Sequence, residues 1–390
     1  MQKKELLPIS LIVAVDVLGL TIILPFLPFY AQKFGASPFV VGLLISAYAF
    51  FQLISGPFLG SWSDKIGRRP VLLISQIGTF VGFILMAQAH SLWVLFLARI
   101  LDGATAGNLS VAQAYLADVT PAQQRTRAFA IIGIAFGLGF LLGPVISGLL
   151  IPYGPSIPVY AAAFLSFLSI MGTFFWLKEP KKHISVSEER RLGILDWKPY
   201  VQKFKDPKVA PYLWLFFAFT FSFAMFFSGF PLFAERRLAW QGHAFGAKEV
   251  AYTYAYTGLI GIYVQGYLMR KWTLRYKDSK LVEMGFLVSG IGYLLLMGVF
   301  SIPMVLVAAT VTSLGTAVLR PALTAEISNR VDAESQGQIL GLNQSINSIS
   351  QIVAPTVAGF LIEHHWLGLW AFIAGALSII AFFMHKKIKH

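Results

Sequence analysis

Cysteine is absent from the 390 residues, and charge is scarce, with Asp, Glu, Lys and Arg together at 13%. Without thiols there is no disulfide framework, no thiol nucleophile and no thiolate metal site. Histidine is sparse as well, at 7 residues, and His243, His364 and His365 fall in short segments between apolar runs. No metal-ligand cluster, phosphate-cradling loop or catalytic triad stands out, so neither an enzyme, a metal nor a cofactor is expected. With no nucleotide site, any work the protein does must draw on an ion gradient. Long polar stretches are lacking too; only 178–208, which contains Lys-Glu-Pro-Lys-Lys and Glu-Glu-Arg-Arg, is sizeable. Lys3 and Lys4 precede an apolar run of full spanning length with no small-residue cleavage site, so a cleavable leader is not expected.

Apolar residues fill what remains. They make up 56% of the chain, and the mean hydropathy is +0.68, values that describe a protein dissolved in lipid. A net charge of +13 would suggest a nucleic-acid partner if it formed one face, but the charges sit between apolar blocks, which excludes that reading. Twelve spans are expected, at about 7–30, 39–59, 71–89, 92–117, 128–152, 157–177, 209–234, 249–269, 281–300, 302–327, 338–362 and 366–385, each near or above the roughly 20 residues that cross a bilayer as helix. Under this topology 25 basic residues fall in the termini and even-to-odd loops, against Lys33, Arg236, Arg237 and Lys248 in the opposite loops. That asymmetry places both termini and the 178–208 connector in the cytoplasm. The expected fold is an all-α membrane protein: an N-terminal six-helix bundle over 1–177, the connector, and a C-terminal six-helix bundle over 209–390.

The stretch from Gly60 to Pro70 wedges a charge cluster between the second and third spans. Gly60, Asp64, Lys65, Gly67, Arg68 and Arg69 resemble, in type and spacing, the loop 2–3 signature of the major facilitator superfamily. The alternative is a generic basic loop that sets topology. In the fifth span Gly137, Gly139, Gly143-Pro144 and Ser147-Gly148 resemble the glycine-proline motif of the exporter branch, against a second reading as ordinary small-residue packing. Asp118 ends the fourth span. The chain is similar to the tetracycline-efflux group over nearly its full length, through Asp16-Val-Leu-Gly-Leu-Thr-Ile-Ile-Leu-Pro, Gly-Arg-Arg-Pro-Val-Leu-Leu at 67–73 and Ala-Glu-Arg-Arg-Leu-Ala-Trp at 234–240. It departs from that group at Gly82, Gly261 and Leu287, where those pumps carry ionisable groups. The resemblance therefore implies the scaffold and the branch, not tetracycline as substrate.

The two halves also resemble each other. Gly143-Pro144 and Ser147-Gly148 reappear as Ala354-Pro355 and Ala358-Gly359, Leu27-Pro28-Phe29 as Phe230-Pro231-Leu232, and Ala117 to Ala122 as Asn329 to Ala333. Ordered echoes of this kind fit parallel six-span repeats with a substrate site between them.

Charge inside a span is costly facing lipid, by at least about 2.5 kcal/mol, so Asp16, Arg99, Asp102, Arg320 and Glu326 are expected to face protein or a wet cavity. Arg99, Asp102, Ser110 and Gln113 fall on one narrow stripe of the fourth helix, with Asn108 turned away. Arg99 and Asp102 either neutralise each other or serve function. Asp16 has no basic neighbour on its own helix and is the leading proton carrier, ahead of Asp102 and Glu326. Arg320 is expected to bind an anion or to act as counter-ion to Asp16 or Glu326. The substrate cavity is expected to use Arg99, Asp102, Gln113, Arg320, Asn343 and Asn347, with Tyr48, Gln52 and Gln265 as further members. Asn343, Asn347 and Gln351 form a stripe that serves equally for hydrogen bonding between helices. A gate is expected from Asp64, Arg68 or Arg69, and Asp118. Gly139, Gly143, Pro144 and Gly148 are expected to pack helices.

Together these residues give a proton-coupled exporter of small hydrophobic or amphipathic compounds, working as a monomer in a bacterial inner membrane. Its partners are then the substrate, protons and membrane lipids. Two alternatives stand beside it: a secondary transporter of an anionic metabolite or lipid-like molecule, and a membrane sensor on a transporter scaffold.

Overall fold

Helices account for nearly all of the computed structural model, which describes residues 3–120, 125–180, 204, 206–207, 209–330 and 336–388. Most of the 178–208 connector and the Val331–Ala333 echo lie outside these residues. In chain order the helices are α1 (Lys3–Ile23), α2 (Leu27–Gln32), α3 (Pro38–Ile66), α4 (Arg68–Ala87), α5 (Leu92–Ala104), α6 (Asn108–Val119), α7 (Arg125–Leu150), α8 (Ile157–Trp176) and α9 (Ala210–Arg237). They continue as α10 (Ala247–Tyr263), α11 (Met269–Arg275), α12 (Asp278–Leu295), α13 (Ile302–Ser328), α14 (Gln336–Glu363) and α15 (Leu367–Ile388). A two-residue antiparallel pair, β1 (Ala239–Trp240) with β2 (His243–Ala244), closes the turn after α9.

Ten helices among the described residues are long and apolar enough to cross a membrane, and the protein is a multi-pass membrane protein. The first expected span contains a shorter apolar helix, Ile9–Ile23. The eighth is interrupted, because α10 passes through a π-turn at Val264–Leu268 before α11 resumes. Such turns insert an extra residue into the helical ladder and tend to mark functional positions. Gln265 lies in this one and is exposed.

The chain forms two compact units, one of Met1–Phe34 with Ala47–Asp196 and one of Gly35–Ser46 with Trp197–His390. In the first unit α1 packs on α7 and α8, and α4 on α5 and α8. Ile12, Val13, Leu72, Val111, Tyr115 and Leu116 are among its fully enclosed side chains. Close approach of α7 to α1 depends on Gly143, where a Cβ would collide with the Thr21 side chain. The Thr21 hydroxyl crosses this seam and donates to the Gly139 carbonyl at 2.8 Å. Pro144 sits inside α7, and Gly148 is buried one turn on.

The fourth span is not one helix. It breaks over Thr105–Gly107, between α5 and α6, so Ser110 and Gln113 do not continue the stripe of Arg99 and Asp102. Ser75 of α4 splints the break: its hydroxyl donates to the Thr105 carbonyl and accepts from the Gly107 amide at 2.9 Å. In a bilayer, backbone groups released by a break need protein partners of this kind.

In the second unit α9 and α12–α15 carry the core. The phenylalanine-crowded α9 is mostly packing. Phe216, Phe219, Phe226, Phe230 and Phe233 are buried, and Phe226 lies against Tyr293 and Trp370. The Trp370 indole donates to the Met225 carbonyl at 3.1 Å. The opening turn of α3 belongs to this unit. Glu363 caps it, accepting from the Ser37 hydroxyl at 2.7 Å and the Phe39 amide at 2.9 Å, a carboxylate placed at the positive end of a helix.

Candidate functional site

Four titratable side chains converge inside the first unit. Arg99 and Asp102, one turn apart on α5, pair at 3.1 Å with about 4% and 5% of their side chains exposed. The Arg99 guanidinium lies over the Tyr48 ring, 4.2 Å from its centroid, while its Nε is buried without a partner. Tyr48 accepts a hydrogen bond from Gln52 Nε2 at 3.0 Å. Thr79 of α4 faces Asp102. Asp16 on α1 is therefore not alone, as it is on its own helix: Asp102 is within electrostatic reach of it, and Tyr48 is within reach of both acids and of Arg99.

Both Asp16 carboxyl oxygens are shut from solvent and accept no hydrogen bond of ordinary geometry. The Ser169 hydroxyl of α8 faces them and itself accepts from Gln76 Nε2 at 2.7 Å. Gly82 of α4 shapes the other side, since a Cβ there would stand 3.1 Å from Asp102 Cβ. A larger side chain at 82 would press on the Arg99–Asp102 pair. The cluster thus holds two carboxylates and one guanidinium in a desolvated pocket. Full ionisation leaves one uncompensated negative charge, which such surroundings penalise by several kcal/mol. One bound proton makes the set neutral.

The second unit distributes its charge differently. Glu326, buried near the end of α13, accepts from Arg330 at 3.1 Å and from His385 Nε2 at 3.0 Å. The other ring nitrogen of His385 faces Glu283 of α12 at 4.0 Å, and Glu283 pairs with Lys280 at 2.9 Å. Arg330 also stacks 3.6 Å over the Tyr212 ring and donates to its hydroxyl. Glu326 is thus committed to local partners, which removes it as the counter-ion of Arg320. Arg320 itself is exposed, lies 5.8 and 5.9 Å from the Phe219 and Phe223 rings, and pairs with no acid of its unit among the described residues. Asn343 is buried with its Oδ1 unpaired, and Asn347 is half-buried on the same helix. Gln113 is exposed on α6, beyond the break.

The charged stretch after Gly60 is helix end rather than loop. α3 runs to Ile66 and α4 starts at Arg68, so only Gly67 intervenes, at φ +110°, a conformation L side chains rarely adopt. Gly67 also makes room for Glu179, whose carboxylate accepts from the Arg68 and Arg69 amides at 2.6 and 2.9 Å. Arg68 bonds Asp64 at 2.6 Å and Asp118 at 2.7 Å. Arg69 turns away to the Thr173 and Phe174 carbonyls, so Arg68 is the arginine of the network. All these partners lie in the first unit. Gly60 has open space at its Cβ position.

His385, Glu283 and Glu179 have no part in the sequence expectation. His385 follows an apolar run at the end of the last span, where it reads as a tail residue beside Lys386 and Lys387.

Comparison with known proteins agrees with the fold. The profile of the Major Facilitator Superfamily matches residues 9–283 and 272–387. The chain is 33% identical over 392 residues to the class E tetracycline resistance protein of Escherichia coli, covering 97% of this chain and 95% of that protein. It is 25% identical over 383 residues to the quinolone resistance protein NorA of Staphylococcus aureus, with 95% of each covered. Among solved structures, a bacterial homologue of the human lysosomal transporter Spinster superposes with a TM-score of 0.79 at 15% identity, over 98% of this chain and 96% of that one. The human organic anion transporter TETRAN superposes with a TM-score of 0.74 at 20% identity, over 98% and 99%.

Proposed function

The chain belongs to the major facilitator superfamily, and on that premise we propose that it is a proton-coupled exporter of small hydrophobic or amphipathic compounds. The observation that carries the coupling is the buried set of Asp16, Asp102 and Arg99, which balances its charge by holding one proton. Loading and release of that proton as the set meets either side of the membrane would drive alternating access. The named relatives are resistance proteins for tetracycline and for quinolones, which supports amphipathic antibacterial compounds as the substrate class. Gly82 and Leu287 leave out acids that the tetracycline group carries, which argues for a different compound within that class. No catalysis or cofactor enters this scheme. The protein works as a monomer in a bacterial inner membrane, with both termini cytoplasmic.

Purified protein in liposomes with an imposed pH gradient, screened with cationic, zwitterionic and neutral amphipathic dyes, is expected to accumulate at least one dye in a gradient-dependent manner. Uptake that ignores the pH gradient for every dye would sink proton coupling. A second reading, transport of an anionic compound, is favoured by one observation: Arg320 is exposed and pairs with no acid of its unit among the described residues. Accumulation confined to carboxylate-bearing compounds in the same screen would select it.

The network of Asp64, Arg68 and Asp118 serves as the cytoplasmic gate in this scheme. Both acids are exposed and Arg68 is half-buried, and surface pairs contribute about 0.2–1 kcal/mol each, weak enough to be remade in every cycle. Replacing Asp64 with Asn is expected to slow flux several-fold while leaving stability within about 1 kcal/mol of the parent. Flux and melting measured on one preparation separate the two effects, and unchanged flux would exclude the network from the cycle.

A further inference from the structure

Each unit carries an apolar groove whose lining largely follows the six-helix repeat and, apart from Ser169 beside Asp16, takes no part in the clusters described above. In the first unit Leu11, Val15, Leu168, Met171, Gly172 and Phe175 line a cleft of about 320 Å³ between α1 and α8. In the second, Trp214, Ala218, Leu377, Ile380, Ala381 and Met384 line one of about 410 Å³ between α9 and α15. Six positions of each lining keep register, while Ile12, Ser169, Trp176 and Phe217 have no counterpart. Leu11 and Val15 stand 203 residues before Trp214 and Ala218, and Leu168, Met171, Gly172 and Phe175 stand 209 before Leu377, Ile380, Ala381 and Met384. A lysine recurs just beyond each lining in the chain as well: Lys178 and Lys387 are separated by the same 209 residues and both are exposed. Lys387 follows Met384 by three positions and Lys178 follows Phe175 by three, with Trp176 of the first lining in between.

We propose that each groove seats an acyl chain of an anionic phospholipid whose headgroup is held by the lysine at its rim. Exposed apolar walls, among them Phe175, Trp176, Trp214 and Ile380, belong to spans whose solvent is hydrocarbon, and indole rings favour the level of the headgroups. The grooves are large enough for a ligand, but they lack the convergent polar groups that orient a drug-sized molecule: the second is lined by apolar residues throughout, and the first adds only Ser169. A lipid tail needs no such groups. Lysine at the basic end of each unit matches the negative potential of the cytoplasmic leaflet, on the orientation proposed above, and one lysine near such a surface is worth about fivefold in affinity. Recurrence of lining and rim in both repeats makes chance hollows a poor account of the pair.

The test is native mass spectrometry of the purified protein titrated with phosphatidylglycerol or phosphatidylcholine of identical chains. Two phosphatidylglycerol molecules are expected to be retained in preference to phosphatidylcholine. Lys178→Gln and Lys387→Gln should each weaken phosphatidylglycerol at one position by about fivefold and leave phosphatidylcholine unchanged. Leu168→Trp and Ile380→Trp fill the grooves from exposed positions, so melting should hold while both lipids bind less. Equal retention of the two lipids by the parent protein would overturn the proposal, as would unchanged retention in the tryptophan variants. One-for-one displacement of lipid by a transported dye would also overturn it, assigning the grooves to substrate. None of these outcomes depends on transport being proton-driven.

Discussion

Asp16→Asn is expected to abolish accumulation of substrate against a gradient while leaving exchange of substrate across the membrane intact. Amide in place of carboxyl fixes the neutral form, so the cluster keeps the charge balance of its proton-loaded state throughout the cycle. Arg99 and Asp102 still compensate each other, and α1 keeps its packing on α7 and α8. Two measurements in the same vesicles decide the matter: counterflow with substrate on both sides, and uptake driven by an imposed pH difference. Counterflow near the parent rate with pH-driven uptake reduced at least tenfold is the expected pair. Wild-type uptake would move the proton to Asp102 or another group. Loss of both activities with normal melting would make Asp16 a substrate contact.

Arg99→Ala should be the most damaging single change in the first unit. It leaves Asp102 buried, with a cavity where the guanidinium stacked on Tyr48. Removing one partner of a buried ion pair costs about 3–5 kcal/mol, whereas replacing both with apolar residues of similar size is often neutral. The double variant Arg99→Leu/Asp102→Leu should therefore recover most of the lost thermal stability in detergent, and pH-driven uptake should remain absent. This comparison separates the two meanings of the pair. Restored stability together with restored uptake would reduce Arg99 and Asp102 to structural neutralisation. Failure of the double variant to regain stability would show that Tyr48, Gln52 and Thr79 depend on the charges for their own placement.

Properties set by neighbours along the chain were legible in the sequence. The long apolar runs between Phe39 and Leu59 or Val71 and Ala89 read directly as spans, and Gly67 with its flanking charges read as the junction between them. Arg99 and Asp102 could be paired because an interval of three residues places them on one helical face. Partnerships across helices were not accessible in this way. Asp16 looked solitary because Asp102 and Tyr48 approach it from other helices. Glu326 looked free for Arg320 because its partner His385 reaches it from α15, 59 positions away in sequence. Nor did helical periodicity reveal the break at Thr105–Gly107. A stripe drawn at 100° per residue assumes an intact ladder, and the residue that makes the interruption tolerable, Ser75, lies in a different span.

That serine makes the fourth span behave as two rods on a shared pin. α5 carries Asp102 and α6 carries Asp118, but the interrupted backbone between them is a poor shaft for torque. Stiffer transmission runs sideways through α4, which splints the break with Ser75 and, two turns earlier on the same face, grips Asp118 with Arg68. Gln76, adjacent to the splint, reaches Ser169 beside Asp16. In the proposed cycle, a proton arriving at the acid cluster and a charge pair opening at the cytoplasmic end would share one camshaft, the third span, rather than the helix on which both acids are threaded.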